Sequence, residues 1–344
     1  MNSIRIGIIG LGGICRQRHV PGLQRIEGVQ LQAVCNRSPE SSDAAAREFG
    51  IPHVETDWKA LVERPDIDAV LVGTWPYLHR PIALAAFRAG KHVFCQARMA
   101  MNQVEAAEMY DAARSSGLTA MLCPVPFGLS IDRTIARLLR EDYLGQVRLV
   151  RVQSFASAFA DDNAPINWRK DASLSGLNIH TLGMYFEVIH RWFGPTRSVA
   201  AQTFTFVRER LDASGARVKV RIPDEVLANT VTRGGVPVQY TFSTVVHHGV
   251  DRIEIYGSKA TLRYDVLPEK LYGARQGEDF AEVAIRPEDA YNVANWRVEA
   301  DFIRAIRDPK FEYHPNFEDG LRYMQATQAV HDSAAGGKAV ELGD

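Results

Sequence analysis

The stretch Ile4-Arg5-Ile6-Gly7-Ile8-Ile9-Gly10-Leu11-Gly12-Gly13-Ile14-Cys15 decides the fold. Its β-branched residues at 4, 6, 8 and 9 have no helical spacing and read as a buried parallel strand. Gly10-x-Gly12 then turns tightly into a helix beginning near Gly13. Lacking Cβ atoms, these glycines take unusual dihedrals and let the backbone approach a ligand closely. The helix start behind them offers free amides and a positive dipole end, suited to a pyrophosphate. Cys15 stands at the third fingerprint position and is small enough for helix and strand to touch. Glycines placed between a strand and a helix predict dinucleotide binding, with Gly10, Gly12, Gly13 and Ile14 as contacts.

The rest of the composition bounds the answer. A chain of 344 residues predicts two domains. With 46% hydrophobic and 24% charged residues it can bury a substantial core, and a formal net charge of -1 gives no basic field for nucleic acid. No apolar run reaches transmembrane length, and the first residues read as a strand, not a cleavable leader. Cys15, Cys35, Cys95 and Cys123 are too widely spaced for a zinc or redox motif. Near strand ends they act as small hydrophobes, which points to reduced thiols and the cytoplasm.

The first third alternates strand and helix. Gln30 to Cys35 is the second strand, and Ser38-Pro39 after it reads as a helix N-cap followed by proline. At the end of this strand NAD enzymes place an acid for the ribose 2′-hydroxyl, whereas NADP enzymes supply Arg and hydroxyl groups. Here Asn36-Arg37-Ser38 stands in the acid's place. Arg37 is either a solvated loop residue or a ligand of a 2′-phosphate, and the missing acid favours NADP over NAD. A third strand runs through Asp66–Thr74 into a turn at Trp75-Pro76. A helix from about Tyr77 to Ala89 stops at Gly90, and His92–Cys95 is the fourth strand. Asn102-Gln103-Val104-Glu105 opens the next helix as a capping box, and Thr119–Cys123 is the fifth strand. Pro124-Val125-Pro126-Phe127-Gly128 cannot continue pairing, which divides the chain into 1–123 and 124–344.

The second part has another rhythm. A helix around Ile131–Arg140 leads into a strand, Val147–Phe155, and an irregular polar segment, 156–175. A long amphipathic helix is expected from about Leu177 to Phe193. Alternating stretches between Val199 and Ile285 predict a largely antiparallel sheet, and helices near Trp296–Arg307 and Glu318–Ala334 close the chain. One open sheet covered by helices is the simplest arrangement, giving an α+β domain after the α/β one.

In order and spacing these residues resemble the Gfo/Idh/MocA family of NAD(P)-dependent sugar and cyclitol oxidoreductases over almost the whole length. Gly10-Leu11-Gly12 follows the first strand, and Thr74-Trp75-Pro76-Tyr77-Leu78-His79 matches the family's Thr-Pro-Asn-x-x-His. Ala89-Gly90-Lys91-His92-Val93-Phe94-Cys95 leads into its Glu-Lys-Pro motif. Arg191-Trp192-Phe193-Gly194, Gly257-Ser258-Lys259-Ala260-Thr261-Leu262 and Phe317-Glu318-Asp319-Gly320 match later landmarks. The resemblance implies a Rossmann domain, a polyol or sugar-like substrate, and a dimer or tetramer formed through the second-domain sheet. It places Thr74, Trp75, His79, Gln96 and Arg98 at the cofactor, His79 in a supporting role.

The departures bear on chemistry. Where the family has Glu-Lys-Pro this chain has Gln96-Ala97-Arg98, so the lysine beside the reacting hydroxyl is an alanine. The family's Asp-x-Gly-x-His positions on the long helix are Thr181 and Tyr185. Hydride removal from an alcohol carbon requires a base for the hydroxyl proton. Tyr185 offers a phenol, or packs in the core. His180 offers an imidazole but lies about 100° round the expected helix from the 181/185 face. Lys170 supplies an ammonium, or is solvated. Trp168, Arg169, Asn178 and Thr181 are the candidate substrate contacts, and Arg98 suits an anionic group or a salt bridge. His247-His248 point to opposite sides of a strand with no third ligand, so no metal is assigned. His19, His190 and His331 read as structural. The resulting expectation is an oxidoreductase with a reorganised proton-donor set; the alternatives are a non-redox enzyme using bound NAD transiently, and a cofactor-binding sensor without chemistry.

Overall fold

The structure is a computed structural model that describes residues 3–124, 126–289 and 296–343. Val125, within the proline-rich stretch expected to end the first domain, lies outside the described residues. The chain divides into two compact units, one of Met1–Pro124 with Arg297–Leu321, the other of Val125–Trp296 with Arg322–Asp344.

The first unit is a doubly wound parallel sheet. Its strands are β1 (Ile4–Ile9), β2 (Val29–Cys35), β3 (His53–Val54), β4 (Ala69–Val72), β5 (His92–Cys95) and β6 (Ala120–Leu122), in the order β3-β2-β1-β4-β5-β6. The order reverses between β1 and β4, the switch point where such sheets bind ligands beyond the strand ends. The near-continuous apolar runs follow from burial on both faces: Ile6 and Ile8 are fully enclosed, as are Val70 and Val72. The sequence shows five of these strands; the two-residue β3 at the sheet edge is too short to show a period. Helices α1 (Val20–Gln24), α2 (Pro39–Phe49), α3 (Trp58–Glu63), α4 (His79–Arg88) and α5 (Gln103–Ser116) cover the sheet, and a π-helical turn, Cys15–His19, leads into α1. Ser38 caps α2 and Asn102 caps α5 through their side chains, as their sequence positions suggest.

A boundary at residue 123 leaves the segment 297–321 with the second domain, whereas the structure groups it with the first unit. Phe302, on the helix 298–307, tilts against Phe94 of β5, and Phe317 meets Phe87 of α4 edge-on. The Leu122 amide donates to the Pro315 carbonyl, so the returning segment also covers the open edge of β6.

The second unit is built on a nine-stranded, largely antiparallel sheet. Helix α6 (Pro126–Arg140) begins five residues earlier than its sequence period shows, and precedes β7 (Val147–Phe155). Helices α7 (Ala172–Ser175) and α8 (Leu182–Phe193) separate β7 from β8 (Thr196–Phe204). There follow β9 (Glu209–Leu211), β10 (Arg217–Lys219), β11 (Glu225–Thr232), β12 (Pro237–Ser243), β13 (Asp251–Gly257), β14 (Ala260–Asp265), β15 (Lys270–Arg275) and β16 (Ala281–Glu282). After α9 (Val298–Arg307) and α10 (Phe317–Gly336), β17 (Val340–Glu341) adds an edge strand. The sheet order is β16-β15-β14-β13-β7-β12-β11-β8-β17, with β7 and β12 the one parallel pair among the described residues, and β9 and β10 form a separate ribbon. Tyr185 and Phe186 of α8 pack on Phe242 and Tyr240 of β12, so helix and sheet share one core.

Candidate functional site

In the first unit the sequence fingerprint becomes a cavity of about 420 Å³ at the switch point, lined among others by Gly10, Gly12, Asn36, Arg37, Thr74 and Trp75. Gly10 sits at φ +83°, and a Cβ there would fall 2.7 Å from the Thr74 amide nitrogen. Gly73 opposite is equally constrained: a Cβ would lie 2.4 Å from the Gly10 carbonyl oxygen. Two glycines thus let β1 and β4 close on each other at the turn. Around Gly12 and Gly13 the space is open, with nothing near a Cβ at Gly13. This is the cradle a pyrophosphate needs at a helix start, so the residues present fit a dinucleotide.

The end of β2 carries the ribose side. Asn36 does not point into bulk solvent: its Oδ1 accepts from the Leu11 amide at 2.6 Å, and its Nδ2 donates to Ser41. It ties the glycine turn to α2. Arg37 is exposed beside it and lines the cavity. Ser38 is outside that lining; its hydroxyl accepts from the Ser41 amide at 3.3 Å as the α2 cap. Thr56, Asp57 and Trp58 line the cavity too, residues that no sequence pattern singled out.

His79 is buried, with Nε2 2.9 Å from the Thr74 carbonyl and Nδ1 3.0 and 3.1 Å from those of Arg98 and Met99. It clamps the segment after β4 to the segment after β5. Burial lowers its pKa, the carbonyls pull the other way, and the Arg98 charge adds to the lowering. Arg98 is buried, not displayed to solvent, and Gln96 is half-buried just beyond β5. Neither lines the cavity, nor do Gly13, Ile14 and His79.

The second unit revises several expectations. The helix expected from Leu177 starts at Leu182, because His180 takes a left-handed φ of +41° and Thr181 is the residue before the first turn. Asn178, Thr181 and Tyr185 therefore do not share a face of one helix. Asn178 is buried and its Nδ2 donates to the Ser175 carbonyl at 2.7 Å, a local bond that competes with helix formation. His180 is half-buried, its Nδ1 3.2 Å from the Thr181 hydroxyl and its ring edge-on to Phe159.

Lys170 is not a solvated loop lysine. Its ammonium is 2.5 Å from Asp224 Oδ1 and donates to the Pro223 carbonyl at 2.9 Å, and both side chains are buried. Burial lowers its pKa and Asp224 opposes that. An ammonium so engaged is a structural tie, which removes it from the expected proton donors. Tyr185 is 1% exposed, and burial pushes its phenol well above the usual range, with the Asp251 charge adding to the effect. Its position in the core makes it a poor proton carrier. Ser154 stands opposite Asp251 in the β7–β13 pairing, and its hydroxyl is 3.3 Å from that of Thr181, beside Tyr185. This cluster was missed because its members come from β7, α8 and β13. Trp168 and Arg169 pair with each other, the guanidinium 4.3 Å over the ring.

Among the described residues no group of three or more His, Cys, Asp or Glu side chains could hold a metal ion, and no helix is long and apolar enough to cross a membrane.

Two family profiles match the chain, one described as an oxidoreductase family with NAD-binding Rossmann fold over residues 4–123, the other as the GFO/IDH/MocA C-terminal domain over 133–263. The chain belongs to the Gfo/Idh/MocA family. Among similar relatives, levoglucosan dehydrogenase of Pseudarthrobacter phenanthrenivorans is 25% identical, with 97% of each chain covered. The 1,5-anhydro-D-fructose reductase of Ensifer adhaerens is 27% identical, with 98% of each covered. A solved structure of levoglucosan dehydrogenase in complex with NADH and L-sorbose superposes with a TM-score of 0.88 at 23% identity, covering 100% of both chains, a likeness of fold. Gfo/Idh/MocA membership makes this chain an oxidoreductase with an NAD-binding Rossmann unit and a largely antiparallel second unit.

Proposed function

We propose that the chain is an NAD(P)-dependent dehydrogenase or reductase acting on a CH–OH group of a small polyhydroxylated substrate, a sugar, cyclitol or derivative. The observation that carries this reading is the glycine cradle at the β1/β4 switch point, with Arg37 on its ribose side. The relatives named for levoglucosan and for 1,5-anhydro-D-fructose support the substrate class. When bound, the nicotinamide supplies the hydride exchange. Gly10, Gly12, Gly13 and Ile14 are proposed to hold the pyrophosphate, and Asn36 to fix the turn from behind. With no acid at the end of β2, Arg37 is the proposed partner of a 2′-phosphate, so NADP is preferred; Ser38 joins it only with the hydroxyl capacity its capping bond leaves free.

Among the proton-carrier candidates, His180 is the one that is only half-buried, where Lys170 and Tyr185 are enclosed, and it takes that role here; Trp168, Arg169 and Thr181 are the proposed substrate contacts. The sensor reading rests on Ala97, where a lysine would be needed by the usual mechanism. The same fold suggests self-association through the second-unit sheet, as a dimer or tetramer, and four free buried thiols suit the cytoplasm. Fluorescence titration of NADH and NADPH against wild type and Arg37→Ala, with turnover on a panel of sugars, cyclitols and sugar acids, tests the proposal. NADPH binding more tightly than NADH, and losing about tenfold in the variant, is the expected result for one charge-assisted contact. Equal affinities throughout reject NADP preference, and tight binding without turnover favours the sensor.

A further inference from the structure

His19 lies in the π-helical turn behind the glycine fingerprint and is wholly enclosed. Its Nδ1 is 2.5 Å from Oε1 of Glu299, itself 3% exposed on α9, 280 positions away in the chain. Glu299 reaches this place because residue 22 is glycine: a Cβ there would lie 2.6 Å from Glu299 Oε2. On the other side of the ring, Nε2 contacts the side-chain amide nitrogen of Gln96, and Cys123 Sγ is 3.9 Å from it. Phe94 closes the ring edge.

The chemistry of these neighbours favours one placement of the hydrogens. A carboxylate only accepts, so Nδ1 carries a proton and donates to Glu299. A neutral imidazole then has Nε2 as its acceptor. Two groups that face Nε2 can donate: the Gln96 amide, and the Cys123 thiol, which burial keeps protonated and which also lies 3.5 Å from the Pro124 carbonyl. Gln96 stands one residue beyond β5, at the strand ends where open parallel sheets bind ligands, and its backbone amide is held by the Val72 carbonyl at 3.0 Å. With its amide nitrogen committed to His19, the carbonyl oxygen is the end of the side chain left to act.

We propose that His19, held by Glu299, is a positioning residue that orients the Gln96 carboxamide so that it offers the cofactor a neutral hydrogen-bond acceptor. This rests on the cofactor reading above and adds a specificity to it. The oxidised nicotinamide ring is cationic and the reduced ring neutral, so a carboxylate at 96 favours the oxidised form, whereas the oriented amide does not.

The test uses the full chain labelled with ¹⁵N-histidine. The wild-type spectrum is expected to show His19 as the neutral Nδ1–H tautomer. Glu299→Gln, isosteric but able to donate or accept, is expected to give a mixture of tautomers and about tenfold weaker NADH binding by fluorescence, the scale of one lost hydrogen bond. Gln96→Glu is expected to raise NAD⁺ affinity relative to NADH several-fold. A wild-type Nε2–H tautomer overturns the proposal, as does Glu299→Gln with mixed tautomers and NADH affinity within twofold of wild type. If Glu299→Gln does not fold, the wild-type tautomer and the Gln96→Glu affinity ratio decide. Wild type that takes up no nicotinamide nucleotide defeats the cofactor reading and this inference together; normal wild-type uptake with an unmoved variant defeats this inference alone.

Discussion

Lys170→Met separates a structural ammonium from a catalytic one. In the native unit the Lys170 and Asp224 side chains are 2% and 0% exposed with 2.5 Å between Nζ and Oδ1. Removing the lysine strands a carboxylate away from water, and breaking a buried pair in this way costs about 3–5 kcal/mol. Asp224 keeps two partners, the amides of Phe206 at 2.8 Å and Val207 at 3.0 Å, which puts the expected loss near the lower end, about 3 kcal/mol. For a unit of this size that is a fall in melting temperature of about 6–12 °C. Adding Asp224→Asn removes the stranded charge while keeping an acceptor for the amides, so the double variant should recover about 1–2 kcal/mol. The assay is urea unfolding followed by tryptophan fluorescence and far-UV dichroism, alongside turnover well below the melting temperature. A Lys170→Met protein of wild-type stability that has lost all turnover refutes the reasoning and returns Lys170 to the chemistry.

The remaining predictions are these. Gly73→Ala places a methyl 2.4 Å from the Gly10 carbonyl and 2.5 Å from Cys15 Sγ, so isothermal titration should show loss of dinucleotide binding. Burial pushes Cys15 to about 12 and Cys35 to about 11, and raises Cys95 and Cys123 too, so a thiol reagent at pH 8 should modify none of the four in the folded protein and all of them in denaturant. Hydrogen bonds from Arg64 and Gln32 hold Asp66 well below the usual carboxylate range. Between its folded and ordinary pKa the unfolded chain binds more protons, so this stability is present at neutral pH and is lost as pH falls below about 4; Asp66→Asn should flatten that part of the stability–pH curve. Ala97→Lys should leave turnover within a few-fold if the proton-donor set has been rebuilt, and a large gain by steady-state kinetics points instead to a disabled site.

What the chain shows by eye is its local physics. The β-branched run at 4–9, the Ser38 and Asn102 caps and the glycine turn are contiguous patterns, and each forms where its spacing puts it. The nucleotide cavity is legible for the same reason, since Gly10, Gly12, Asn36 and Arg37 lie at the ends of two readable strands. Lys170 and Tyr185 are not legible. Burial against an aspartate 54 positions away, or by a helix packing on β12, leaves no local trace in a polar loop or an amphipathic period. The late start of α8 is hidden likewise: the apolar spacing continues back to Leu177, while the left-handed turn at His180 and the side-chain bond of Asn178 interrupt the backbone. His19 and Glu299 look ordinary apart, and only the fold brings them together.

The return of residues 297–321 to the first unit has a consequence for biosynthesis. A ribosome delivers the six parallel strands long before it delivers α9 and the Tyr313–Asn316 segment that seals β6, where the Ala120 amide donates to the Tyr313 hydroxyl. Until then Phe87 and Phe94 have no cover from Phe317 and Phe302, and His19 has no carboxylate. The nascent nucleotide-binding unit therefore waits, incomplete, while the entire nine-stranded sheet's central portion is translated, and a nonsense codon anywhere in that interval leaves both units unfinished.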